Sequence, residues 1–145
     1  MSERVELSEL LPLMEEVLSS GGEFTFIPGG NSMRPMLYGR RDQVTIVKPQ
    51  GRLKKYDLPL FRRPDGAFVL HRVVKVLPDS YVTRGDCTVT FERDITDSQI
   101  VGVVKSFVRK GKAYSVNSKK YRIYCAIWTA FPIFRRFIMH FGTRT

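Results

Sequence analysis

Leu7, Leu10, Leu11, Met14 and Leu18 recur at intervals of three and four residues, the spacing that puts apolar side chains on one face of a helix. Ser8 is suited to cap that helix and Pro12 to fall in its first turn. Gly21-Gly22 then stop it, so the pattern predicts a helix over residues 5–20. Beyond it the period changes from helical to alternating. Short β-rich runs cover Glu23–Ile27, Gln43–Lys48, Asp57–Phe61, Ala67–Leu77, Tyr81–Arg84, Gln99–Arg109 and Ala113–Asn117. Pro28-Gly29-Gly30, Pro64-Asp65-Gly66, Pro78-Asp79-Ser80 and Lys110-Gly111 separate them with turn chemistry. The expectation is a mainly β protein, an antiparallel body over residues 23–117 with one helix before it and one after.

The second helix is predicted over residues 118–141. Ile123, Ile127, Ala130, Phe134, Phe137, Ile138 and Phe141 fall on one stripe, with Thr129, Arg135, Arg136 and His140 on the other side. A basic amphipathic helix carrying Trp and Phe suits a lipid headgroup layer. The competing expectation is a helix packed on its own sheet. Pro132 kinks the helix under either reading.

With 145 residues and 43% hydrophobic content, the chain is sized for a single domain, with no repeat and no disordered tract. The net charge of +10 is unevenly placed. Residues 1–104 carry 14 basic and 14 acidic side chains, whereas residues 105–145 carry 10 basic ones and no acid. A neutral body with a basic tail points to an acidic surface as partner more than to a nucleic-acid-binding domain, and nucleic acid is disfavoured. Two cysteines, Cys87 and Cys125, are too few and too far apart for a disulfide scaffold or a cysteine zinc site, so no metal or other cofactor is expected. The acidic start MSERVELSELLPLMEEVL has neither the basic nor the apolar region of a signal peptide. The longest apolar run, Ile123–Phe134, falls short of the ~18 residues a membrane span needs. The expected location is therefore the cytoplasm or a peripheral site on a membrane, reached through residues 118–141.

Three segments carry candidate chemistry. Pro28-Gly29-Gly30-Asn31-Ser32-Met33-Arg34-Pro35 follows a predicted strand, and its turn residues would expose Ser32 beside backbone N–H groups. A nucleophilic serine needs that accessibility and those donors, although serines in glycine-rich turns are common for other reasons. Phe68-Val69-Leu70-His71-Arg72-Val73-Val74 places an imidazole in an apolar run, where its ring nitrogens must find partners. With an ordinary pKa near ~6.5, His71 could serve as a general base at neutral pH, or simply be a satisfied core histidine. Tyr81-Val82-Thr83-Arg84-Gly85-Asp86 ends a strand in a carboxylate able to orient such a base, and Gly-Asp is also an ordinary turn.

Taken in order, Gly30-x-Ser32-Met33-x-Pro35-x-Leu37, the His71-Arg72-Val73-Val74 strand, Gly85-Asp86 and Ile100-Val101-Gly102-Val103-Val104 resemble the signal peptidase I / LexA-like serine peptidases. The resemblance runs from Phe24 to Phe107. The histidine before Arg72 is similar to the endoplasmic-reticulum and archaeal branch, in place of the more usual lysine. The resemblance implies coiled antiparallel sheets and an endopeptidase that cuts signal or leader peptides of precursor proteins through an acyl-enzyme. Ser32 would be the nucleophile and His71 the base. Asp86 would be the orienting acid, with Asp94 and then Glu92 as alternatives, because Cys87-Thr88 stand where that branch has Asn-Asn. Gly30 replaces a serine that donates to the oxyanion in many members, leaving that task to backbone N–H groups. Gly30 and Met33, with Phe24 and Phe26, would line the substrate site. Lys75 shares the strand face of His71 but lies about 13 Å further along, too far to serve the same serine. Two other readings compete: a LexA-like self-processing or regulatory module, and a non-enzymatic domain that binds polyanions or membranes through its tail.

Overall fold

A computed structural model describes residues 3–130. The protein is mainly β, two antiparallel sheets with a helix at each end. The first helix, α1, runs Glu3–Ser19 and starts earlier than its apolar spacing suggests. Ser8 and Pro12 are therefore interior, and Pro12 is tolerated on the exposed side, where a missing N–H faces water. Met14 and Leu18 of α1 are buried in the core, and Leu7 packs against it.

The larger sheet contains β1 (Phe24–Phe26), β2 (Gln43–Val47), β8 (Ile100–Arg109), β3 (Pro59–Arg62) and β4 (Phe68–Leu70), paired in that order. The hairpin partner of β8, β9 (Lys112–Ser115), continues its edge beyond β3. The smaller sheet is β5 (Arg72–Val76), β6 (Tyr81–Arg84) and β7 (Glu92–Ile95). Sequence patterning missed β7, whose Glu92-Arg93-Asp94 stretch has no alternation to reveal it. The expected strand over Ala67–Leu77 is in fact two. β4 belongs to the larger sheet and β5 to the smaller, and the residue between them is His71.

Alternation along β3 and β4 builds two cores. Leu60 joins Met14, Leu18, Met33, Met36, Leu37, Val44, Ile46, Val104 and Phe107 on one side, with Phe68 and Leu70 packed against them. Phe61 and Val69 point the other way, to Leu53, Val73, Tyr81 and Ile95 between the sheets.

The second helix, α2, covers Lys119–Ala130, and the remainder of the predicted 118–141 helix lies outside the described residues. It packs through Tyr121, Cys125 and Trp128 and leaves Ile123 and Ile127 exposed. The aliphatic stripe thus faces outward, and the polar-tipped aromatics face the body. Among the described residues no helix is long and apolar enough to cross a membrane.

Candidate active site

The Ser32 loop is held from below. Met33, Met36 and Leu37 are buried in the larger core, which fixes the segment after β1 and leaves Ser32 half-buried at its surface. Leu37 N–H donates to the Met33 carbonyl at 3.0 Å, and Arg34 N–H to that of Asn31 at 3.2 Å. Gly39 closes the loop against the Gly29 and Gly30 carbonyls so tightly that a Cβ there would lie 2.3 Å from the Gly30 oxygen. Only glycine permits that approach.

His71 reaches the same place from the crossing between the two sheets. Its position is set by β4 on one side and β5 on the other, each hydrogen-bonded into a different sheet. The meeting point is Gly85. A Cβ built on Gly85 would be 3.1 Å from Ser32 Cβ, 3.1 Å from His71 Nε2 and 2.6 Å from the Ser32 carbonyl oxygen. Ser32 Cβ and His71 Nε2 are therefore separated by no more than twice that 3.1 Å, both packed against one glycine. Cys87 N–H donates to the Ser32 carbonyl at 2.8 Å and fixes the loop to the Gly85 corner.

Ser32 and His71 both border a cleft of about 300 Å³. Gly30, Met33, Phe26, Leu60, Phe68 and Leu70 supply much of its wall, and Leu7 of α1 reaches its rim. Of the residues expected at a substrate site, Gly30, Met33 and Phe26 are in this wall and Phe24 is not. The wall is mostly apolar, with Pro28, Gly29, Gly30 and Arg63 also lining it.

The imidazole is 6% exposed, edge-on to Phe61 at 6.2 Å. Burial pulls its pKa down to about 4, against an opposing pull from the Glu92 carboxylate. His71 is accordingly neutral at pH 7, the form able to accept a proton. Its Nδ1 is buried with no hydrogen-bond partner, and the nearest carboxylate oxygen is Glu92 Oε1 at 3.9 Å, beyond hydrogen-bonding distance. Glu92 in turn pairs with Arg63.

The three acids proposed from sequence are placed very differently. Asp86 is buried against Arg72, which donates from Nε at 2.9 Å and from Nη2 at 2.8 Å. Tyr124 Oη donates to the same carboxylate at 2.8 Å, and Trp128 Nε1 donates to the Asp86 backbone carbonyl at 2.9 Å. The Asp86 charge favours the protonated form of His71 less strongly than that of Glu92. Asp94 is exposed, in the left-handed region at φ 61°. Glu92, ranked last, is the carboxylate beside Nδ1.

Arg72 is the residue that sequence reasoning passed over. It is fully buried, and besides Asp86 it donates to Tyr121 Oη at 2.8 Å and to the Tyr56 carbonyl at 3.3 Å. Burial alone would favour its neutral form, but the adjacent Asp86 carboxylate outweighs this and raises its pKa. The pair ties β5, the Gly85–Cys87 corner and α2 into one network. Its only signal in sequence is a cation inside an apolar run, which must find a buried partner. Among the described residues no cluster of His, Cys, Asp and Glu is arranged to hold a metal ion.

The chain matches no protein-family model, no curated protein and no solved structure.

Proposed function

We propose that the protein is a serine endopeptidase of the signal peptidase type, cleaving signal or leader segments of precursor proteins. The observation that carries this reading is the shared contact with Gly85: a half-buried serine and an imidazole bordering one mostly apolar cleft. In the proposed reaction Ser32 Oγ attacks a peptide carbonyl while His71 Nε2 accepts its proton and passes it to the leaving amine. Water then hydrolyses the acyl-enzyme by the same route in reverse order. The backbone N–H of Ser32 is the oxyanion donor in this scheme. Glu92 fits the orienting role better than Asp86, because its carboxylate lies beside Nδ1 whereas Asp86 is occupied by Arg72. Closing the 3.9 Å gap would satisfy the orphan Nδ1 as the imidazolium forms, and such contacts tighten on substrate binding in many enzymes.

Cleavage of a pooled peptide library read by mass spectrometry tests this. Ser32→Ala and His71→Ala should each lower the rate by at least ~100-fold. Cleavage unchanged in either variant overturns the reading.

A further inference from the structure

α2 is fastened to the body on one side only. Tyr121, Cys125 and Trp128 are buried, and Tyr124 and Trp128 hold the Asp86 corner through their polar tips. The outer face is therefore held outward in a fixed orientation. At its centre Ile123 is 58% exposed and Ile127 47%, one helical turn apart. Lys119 and Lys120 stand exposed at the N-terminal end of this face, and α2 carries no acidic side chain. Two exposed isoleucines framed by cations combine the two features of an interfacial helix, an apolar strip to insert and positive charge to meet headgroups.

We propose that the outer face of α2 docks on an anionic lipid surface, with Ile123 and Ile127 inserted among the acyl chains and Lys119 and Lys120 among the headgroups. Charge complementarity selects this occupant. Residues 105–145 hold 10 basic side chains and no acid, and the sequence after α2 continues as Phe131, Ile133, Phe134, Arg135, Arg136, Phe137 and Ile138, apolar and basic throughout. A second copy of the chain would bring those like charges together. The face is also small for a dimer: twelve residues make a helix about 18 Å long, a few hundred Å² of surface against the ~800 Å² per partner of a stable interface. Nucleic acid would satisfy the cations but leave the isoleucines in water. The proposal does not depend on the peptidase reading.

Flotation of the full chain with vesicles tests it, using phosphatidylcholine alone and phosphatidylcholine mixed with phosphatidylserine. The wild type should float with the mixed vesicles, less with the neutral ones, and less as salt rises. Ile123→Ser/Ile127→Ser, both at exposed positions, should keep the wild-type melting temperature and lose at least ~10-fold in lipid partitioning. Lys119→Gln/Lys120→Gln should weaken partitioning by roughly tenfold on the mixed vesicles only. Ser32→Ala should float like the wild type, which separates docking from catalysis. Equal flotation of wild type and the isoleucine variant, indifference to lipid charge, a dimer that the isoleucine variant dissolves, or RNA binding without flotation would each overturn the proposal.

Discussion

Gly85 is where fold and candidate chemistry meet, and Gly85→Ala is a one-carbon perturbation of that meeting. The added methyl would sit 2.6 Å from the Ser32 carbonyl oxygen and 3.1 Å from both Ser32 Cβ and His71 Nε2. An ordinary carbon–oxygen contact is near ~3.3 Å, so the Ser32 backbone or the Gly85 corner must retreat by about 0.7 Å. Neither can retreat freely. The loop is anchored by buried Met33, Met36 and Leu37, and the corner by Trp128 Nε1 on the Asp86 carbonyl. Overpacking of this kind costs about 1–3 kcal/mol, near ~4 °C in melting temperature per kcal/mol for a chain of this length. The same displacement moves Oγ away from Nε2, and misplacement by up to an ångström can cost on the order of 100-fold in rate. Gly85→Ala should therefore lower kcat/KM for library-derived peptides by about 10- to 100-fold and lower the melting temperature by several degrees. Gly30→Ala is the control for stability: a Cβ there meets nothing within 4 Å, and its melting temperature should match the wild type. A Gly85→Ala protein with wild-type turnover and melting temperature would refute the placement of Ser32 and His71 against this glycine.

Four further outcomes follow from the same geometry. Arg72→Met strands the Asp86 carboxylate in the core and should cost about 3–5 kcal/mol in urea denaturation, while Arg72→Met/Asp86→Leu should recover much of it; equal losses in both would contradict the paired-charge account. Glu92→Gln should lower kcat at least ~10-fold with little change in KM, and should move the acid limb of the pH profile further down because it removes the charge opposing burial at His71; a wild-type profile would dismiss Glu92 as the orienting acid. The acid limb of kcat/KM for the wild type should lie well below pH 6, toward the His71 pKa of about 4, and a limb near pH ~6.5 would contradict the burial argument. Stability carries the same signature: the unfolded chain takes up a proton on His71 below pH ~6.5 that the folded chain refuses until about 4, so lowering pH from ~7 to ~5 should destabilise the wild type by about 2 kcal/mol more than His71→Asn.

How much of this was legible beforehand depended on whether the information was local. Helix α1 and most strands follow from the spacing of Leu, Val, Ile and Phe and from Gly/Pro turns. Ser32 and His71 could be singled out because a serine among turn residues and an imidazole in an apolar run are visible as letters. The split at His71 was not, because Phe68–Val76 is continuously β-favouring and only tertiary pairing decides that its halves enter different sheets. The acid was likewise unreadable. Asp86 follows Gly85 at the corner, but Arg72 claims its carboxylate, whereas Glu92 comes within 3.9 Å of Nδ1 from β7, a strand with no periodic signature. For α2 the wheel identified the aliphatic stripe and said nothing of which side packs. Tyr121, Tyr124 and Trp128 turn inward because their O–H and N–H groups find partners at Tyr56 and Asp86, which isoleucine cannot use.

The most direct test of the central claim, that Ser32 is a nucleophile activated by His71, is covalent labelling with a fluorophosphonate probe followed by peptide mapping. The account predicts one modified residue, Ser32, no labelling of Ser32→Ala, and labelling of His71→Ala slowed by at least ~100-fold. Modification elsewhere, or at Ser32 with a rate indifferent to His71, would contradict it.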